Sequence, residues 1–132
     1  MTDEQKAQII SIIKSHSEIK LAYLFGSRAT GDIGPMSDYD FAFYMDGLDK
    51  NQRFDLRLKL DHEIGHILQV NAVDIVILND ADLPELKYDI IREGIVLHEE
   101  EPYLLMIEPD ITNQYFDFKE ILKRYDPLHY TP

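Results

Sequence analysis

Apolar positions along this chain switch between a helical and a strand rhythm. Ala7, Ile9, Ile10, Ile12 and Ile13 recur at helical spacing behind Thr2 and Gln5, a pair suited to a capping box, and predict an opening helix to about His16. LAYLF, residues 21–25, reads as a short buried strand that runs into Gly26-Ser27. The following segment to Ser37 contains Gly31, Gly34 and Pro35 and reads as a loop. DYDFAFYM, residues 38–45, alternates strictly: Tyr39, Phe41, Phe43 and Met45 share one face, and Asp38, Asp40, Ala42 and Tyr44 the other. One face is expected to be core and the other to carry the acids. Leu56, Leu60, Ile64, Ile67 and Leu68 form the stripe of a helix over 50–69, and VDIVIL, residues 73–78, is a third strand. Pro84 suits the first turn of another helix, Gly94 its C-terminal cap, and IVLH, residues 95–98, a fourth strand. The order α-β-β-α-β-α-β predicts an α/β (α+β) chain.

Composition narrows the class. With 132 residues the chain fits one domain, and no apolar run approaches the roughly 20 residues that span a bilayer. The first residues, MTDEQKAQII, lack the basic start and unbroken apolar stretch of a signal peptide, and there is no cysteine, so a cytoplasmic location is expected. Twenty-five acidic against 13 basic residues give a net charge of −12. That charge repels phosphates, so direct nucleic-acid binding is not expected, and an anionic substrate must arrive with its own cations. Residues 99–132 hold eight acidic and three basic side chains, about twice the negative density of the preceding 98, with Tyr115, Phe118 and Leu122 in one helical stripe. The organisation expected is a core over 1–98 and an acidic, partly helical extension of the same domain over 99–132. The Glu99, Glu100, Glu101 run is by default a solvated face, and its functional reading is attraction to a basic partner.

The chemistry concentrates in Gly26-Ser27, ten intervening residues, then Asp38-Tyr39-Asp40. A glycine lets backbone N–H groups come close to an anion, and the serine hydroxyl adds a donor, which suits a triphosphate. Aspartates at i and i+2 on a strand project from one face, where their oxygens can share divalent cations with phosphate oxygens. Asp74 opens an otherwise apolar strand. Pairing of that strand near the second would bring three carboxylates together, the requirement of two-metal phosphoryl or nucleotidyl transfer. From the chain's own counts of Gly, Ser and Asp, chance predicts roughly 0.003 occurrences of the four-residue pattern.

These residues resemble the nucleotidyltransferase superfamily related to DNA polymerase beta, and within it the minimal nucleotidyltransferases (MNT), the antitoxins of HEPN/MNT toxin–antitoxin pairs. The pattern Gly26-Ser27-x10-Asp38-x-Asp40 matches that signature residue for residue, and GSRATG, SDYDFAF and VDIVIL extend the likeness over roughly 20–80. The resemblance implies a minimal polymerase-beta-like palm, a small mixed sheet flanked by helices with a C-terminal helical tail. It implies ATP as nucleotide donor with Mg2+, held by Gly26, Ser27 and Arg28 on the nucleotide and by Asp38, Asp40 and Asp74 on the metal, with those three aspartates catalytic. It further implies transfer of AMP to a hydroxyl, in this subgroup a tyrosine of a HEPN ribonuclease toxin, which is the partner expected. Thr30 stands where many relatives carry a basic residue, leaving Arg28 as the nearby cation. Two alternatives stay open: a catalytically silent antitoxin that blocks its toxin by occlusion, and an enzyme acting on a small molecule or an RNA end.

A second motif competes. His62-Glu63-Ile64-Gly65-His66 fits the H-E-x-x-H zinc-protease pattern on a predicted helix. Chance predicts roughly 0.014 occurrences of it, about five times the figure for the nucleotide motif. At about 100° per residue the histidines lie roughly 135° from the middle of the Leu56/Leu60/Ile64/Ile67 stripe, so they are expected to face solvent.

Overall fold

A computed structural model describes residues 1–26 and 39–125. Its elements are α1 (Asp3–Ser15), β1 (Ile19–Phe25), β2 (Asp40–Met45), α2 (Lys50–Leu68), β3 (Asp74–Ile77), α3 (Pro84–Glu93), β4 (Ile95–Glu99) and α4 (Tyr103–Tyr125). The mixed α/β order matches the expected one, with the C-terminal helix added.

Local chemistry starts the two longest elements before β3. In α1 the Thr2 hydroxyl accepts from the Gln5 amide at 3.0 Å while the Gln5 side chain accepts from the Thr2 amide at 2.9 Å. Asp49 and Gln52 repeat this reciprocal box at α2, at 2.8 and 2.9 Å. Each box satisfies amides that the first helical turn leaves without partners. Gly94 is the C-terminal cap of α3, as expected. Its φ is −70°, and an added Cβ would lie 2.4 Å from the Ile90 carbonyl oxygen. Absence of a side chain, and not backbone freedom, is what the position requires.

The strands form one sheet in the order β3-β2-β1-β4. β1 pairs antiparallel with both β2 and β4, and β2 pairs parallel with β3. β1 is therefore interior, and its run of buried residues from Leu21 to Leu24 is what a strand covered on both faces demands. One face carries Ala22, Leu24, Phe41, Phe43, Ile75 and Ile77 against Ile9 and Ile13 of α1 and Leu60, Ile64 and Leu68 of α2. The other carries Leu21, Tyr23 and Ala42 beneath Ile90 of α3, with Tyr103, Leu104 and Ile107 of α4 packed at its margin. The expectation of a single core face thus needs correcting: Ala42, placed with the acids by its alternation, is fully buried. Helices cover both faces, and Asp40 and Asp74 escape full burial because they sit at strand starts.

The acidic C-terminal stretch divides in two. Its proximal part is built into the core, with Ile111 buried and the Tyr23 hydroxyl donating to Glu108 Oε2 at 2.7 Å. Its distal part leaves Phe116, Ile121 and Tyr125 exposed, while Tyr115 stacks on Tyr88 of α3 at 4.0 Å between ring centroids. No helix among the described residues is long and apolar enough to cross a membrane.

Candidate active site

Parallel pairing of β2 with β3 sets Asp40 opposite Asp74, each the first residue of its strand. The pairing begins one residue earlier, where the Asp74 amide donates to the Tyr39 carbonyl at 2.9 Å. On the other side of β2, Asp40 pairs with Phe25 of β1. One rung thus runs Phe25, Asp40, Asp74 across three strands, and the next rung on the same face is Tyr23, Ala42, Val76. Moving one rung replaces a closed apolar layer by two carboxylates at the sheet end. Asp40 is half-buried and Asp74 exposed.

Gly26 leaves β1 with φ +77°, in the left-handed region where side chains are strained. A Cβ there would lie 2.3 Å from Asp40 Oδ2. Backbone geometry and close approach both require glycine, and the β1 exit is thereby pressed against a candidate metal-binding carboxylate. The structure brings together Gly26, Asp40 and Asp74. Ser27, Arg28 and Asp38, as well as Thr30, lie outside the described residues. Two hard oxygen donors on adjacent strands suit Mg2+, and the half-buried setting of Asp40 with the exposure of Asp74 leaves room for phosphate oxygens to complete the shell.

Among the described residues the competing zinc motif gathers no third ligand. His62 and His66 are both exposed, as expected from their angle to the stripe. Glu63 turns inward, 3.7 Å from His16 Nε2 and 3.9 Å from Lys59 Nζ. Among the described residues no group of three His, Cys, Asp or Glu side chains could hold a metal.

Residues not singled out in the sequence hold the fold together away from the site. Asn79 donates to the Met45 carbonyl at 2.7 Å and accepts from the Met45 amide at 2.9 Å, continuing the β2 edge with a side chain. Arg53 forks onto both Asp80 oxygens at 3.0 and 2.7 Å and donates to the Leu48 carbonyl. This bidentate pairing holds the Asp80 carboxyl below the usual carboxylate range. Burial, and then the hydrogen bond to Glu108, push the Tyr23 phenol far above its ordinary value. Each pair joins residues at least 27 positions apart, so no local pattern announces it.

Residues 7–103 match the family described as polymerase beta, nucleotidyltransferase. The chain belongs to this nucleotidyltransferase family. It is 34% identical over 92 residues to the protein adenylyltransferase MntA of Aphanizomenon flos-aquae (strain 2012/KM1/D3), a match covering 62% of this chain and 58% of that relative's length. A toxin–antitoxin crystal structure with AMP-PNP contains a chain of the same fold, at TM-score 0.73 and 20% identity over 95% of both chains. A chain in the complex of tri-AMPylated Shewanella oneidensis HEPN toxin with MNT antitoxin superposes at TM-score 0.71 with 20% identity, again over 95% of both.

Proposed function

We propose that this chain is an antitoxin nucleotidyltransferase that moves AMP from ATP to a hydroxyl, a tyrosine by preference, of a cognate HEPN ribonuclease toxin and so neutralises it in the cytoplasm. The observation that carries this reading is the direct pairing of Asp40 with Asp74, with the Gly26 backbone held against Asp40. The adenylyltransferase relative and the AMPylated-toxin complex support the choice of donor and acceptor.

In this mechanism Asp38, Asp40 and Asp74 would hold Mg2+, which would supply charge neutralisation of the triphosphate and of the charge that develops at transfer. Gly26 and Ser27 offer backbone and hydroxyl donors to the phosphates, and Arg28 adds a positive charge. The acceptor oxygen attacks the α-phosphorus, a new O–P bond forms, the bond to the bridging β-phosphate oxygen breaks, and pyrophosphate leaves. Asp74, the more exposed carboxylate, takes the acceptor proton. Tyrosine, with an ordinary pKa of about 10, needs a smaller shift for deprotonation than a serine hydroxyl. Residues 99–132 belong to the same domain in this reading, and the exposed distal face of α4 contributes to toxin binding.

The test is to incubate the chain with Mg-ATP and the small helical protein encoded by the neighbouring reading frame, and to follow AMP incorporation by mass spectrometry. Incorporation should require both Mg2+ and Asp38, being lost in Asp38→Asn. Tight binding to that protein without incorporation would instead identify an occluding antitoxin, and incorporation into RNA ends or a small molecule would replace the acceptor.

A further inference from the structure

Among the described residues β3 is an edge strand, and its outer rim carries positive charge on an otherwise acidic chain. The amides of Asp74 and Leu78 donate to the β2 side, to the carbonyls of Tyr39 and Phe43, at 2.9 and 2.8 Å. In a parallel ladder amides alternate in direction, so those of Ile75 and Ile77 point away from β2. Alongside that rim runs a groove of about 350 Å³ between β3 and α2, bordered by Lys50, Phe54 and Arg57 on the helix, by Ile75 to Ile77 on the strand, and by Ala81 and Asp80, whose carboxylate is already taken by the Arg53 fork. Lys50 and Arg57 are exposed, and Phe54 keeps 52% of its surface in solvent. Two cations and an aromatic ring beside an open strand, on a chain of net charge −12, make a local site for the opposite sign. The strand that borders the groove starts at Asp74.

We propose that this groove docks an extended segment of the protein acceptor, which pairs with the open rim of β3 and sets carboxylates on Lys50 and Arg57 and an apolar side chain on Phe54. Strand addition uses main-chain hydrogen bonds for affinity and alternate side chains for selection, and here its register delivers the acceptor hydroxyl to the Asp74 end. The proposal rests on the protein-acceptor reading above and adds what that reading lacks, the chemistry around the modified residue. The acidic remainder of the surface favours encounter with a basic partner, whereas the groove selects the segment that enters the site.

The probes are two ten-residue peptides, each with a central tyrosine among valines and threonines, one flanked by two aspartates and the other by two lysines. With Mg-ATP and the full chain, the acidic peptide should be labelled at least tenfold faster than the basic one. In Lys50→Glu/Arg57→Glu, which alters exposed groups only, that preference should reverse while ATP affinity stays unchanged. Without ATP, the acidic peptide should slow hydrogen exchange at the Ile75 and Ile77 amides at least severalfold and leave α4 unaffected. Transfer without protection of these amides, protection of α4 instead, an unchanged preference in the double variant, or β3 protection by a uridine oligonucleotide but not by peptide would each overturn the docking mode. Protection by the acidic peptide with no transfer to any acceptor would keep the groove and remove the transferase reading.

Discussion

At the end of the sheet where β2 and β3 begin, Asp40 and Asp74 stand on directly paired positions. At the opposite end three acidic groups meet donors: Asp46 accepts from the Tyr103 hydroxyl, Glu100 lies 3.1 Å from Lys20 Nζ, and Asp80 takes the Arg53 fork. In the proposed reading the same residue types serve binding chemistry at one end and closure of the fold at the other. Position along the strand decides between them. Strand ends are the places where a carboxylate can be anchored by a buried sheet and still reach water, and the far end holds its acids by short, mutually satisfied contacts. In the proposed reading, charge is stored where divalent cations would bind, and cancelled where the chain only needs to hold together.

Substitutions at the two ends should therefore separate activity from stability. The largest effect is expected for Asp40→Asn, which removes a charged ligand worth several kcal/mol at the transition state, a loss of about a thousandfold or more in AMP transfer. Asp74→Asn should retain ATP binding by calorimetry and lose about a hundredfold in transfer, the scale of a positioned general base. Equal loss of binding and transfer would make Asp74 a ground-state ligand. Next is Gly26→Ala, where a positive φ and the 2.3 Å approach to Asp40 act together. Transfer should fall by about tenfold as the carboxylate is displaced, with a cost of about 1 kcal/mol in chemical denaturation.

At the far end the order reverses. Arg53→Ala should cost about 1–2 kcal/mol of stability and leave transfer within about twofold of the parent. Because Arg53 lowers the Asp80 pKa, the pair stabilises the fold above the ordinary carboxylate range and that contribution is lost as pH falls through the lowered value, so the variant should show a flatter acid limb below about pH 4. Smallest, and set one rung behind the two carboxylates instead of at the far end, is Tyr23→Phe, about 1 kcal/mol at neutral pH. The Tyr23 phenol is raised, so its contribution is complete below about pH 10 and declines as pH rises from there, and the phenylalanine variant should lose that alkaline decline in pH-dependent unfolding.

Much of this was legible in the chain because it is local. The Thr2/Gln5 box, the α2 stripe and the β2 alternation each lie within a few residues, and the elements they predict begin and end close to their observed bounds. Asp40 and Asp74 could be placed in one site only on the condition that their strands pair, and the parallel register meets that condition. The second packed face was not legible. Ala42 and Tyr44 look compatible with a solvated face until Ile90 and Tyr103, dozens of residues away, cover them. For the same reason the proximal part of α4 passed as a tail, since Leu104, Ile107 and Ile111 show their role only against β1 and α3. Arg53–Asp80 and Tyr23–Glu108 are pairings made by topology, and no spacing encodes them.

The Asn79 clamp on Met45 also acts as a gauge of alignment. Its amide reads both polar groups of one β2 residue, so β3 is seated only when its exit lies beside the β2 exit. Sliding β3 by a single position would break both bonds and turn its alternate side chains over, sending Asp74 to the face opposite Asp40. A neutral side chain five residues beyond Asp74 thus proofreads the alignment on which the two carboxylates depend. Loss of that check would surface as a fraction of correctly folded but misthreaded molecules, visible as a second set of amide resonances in β3, and not as a uniform slowing of every molecule.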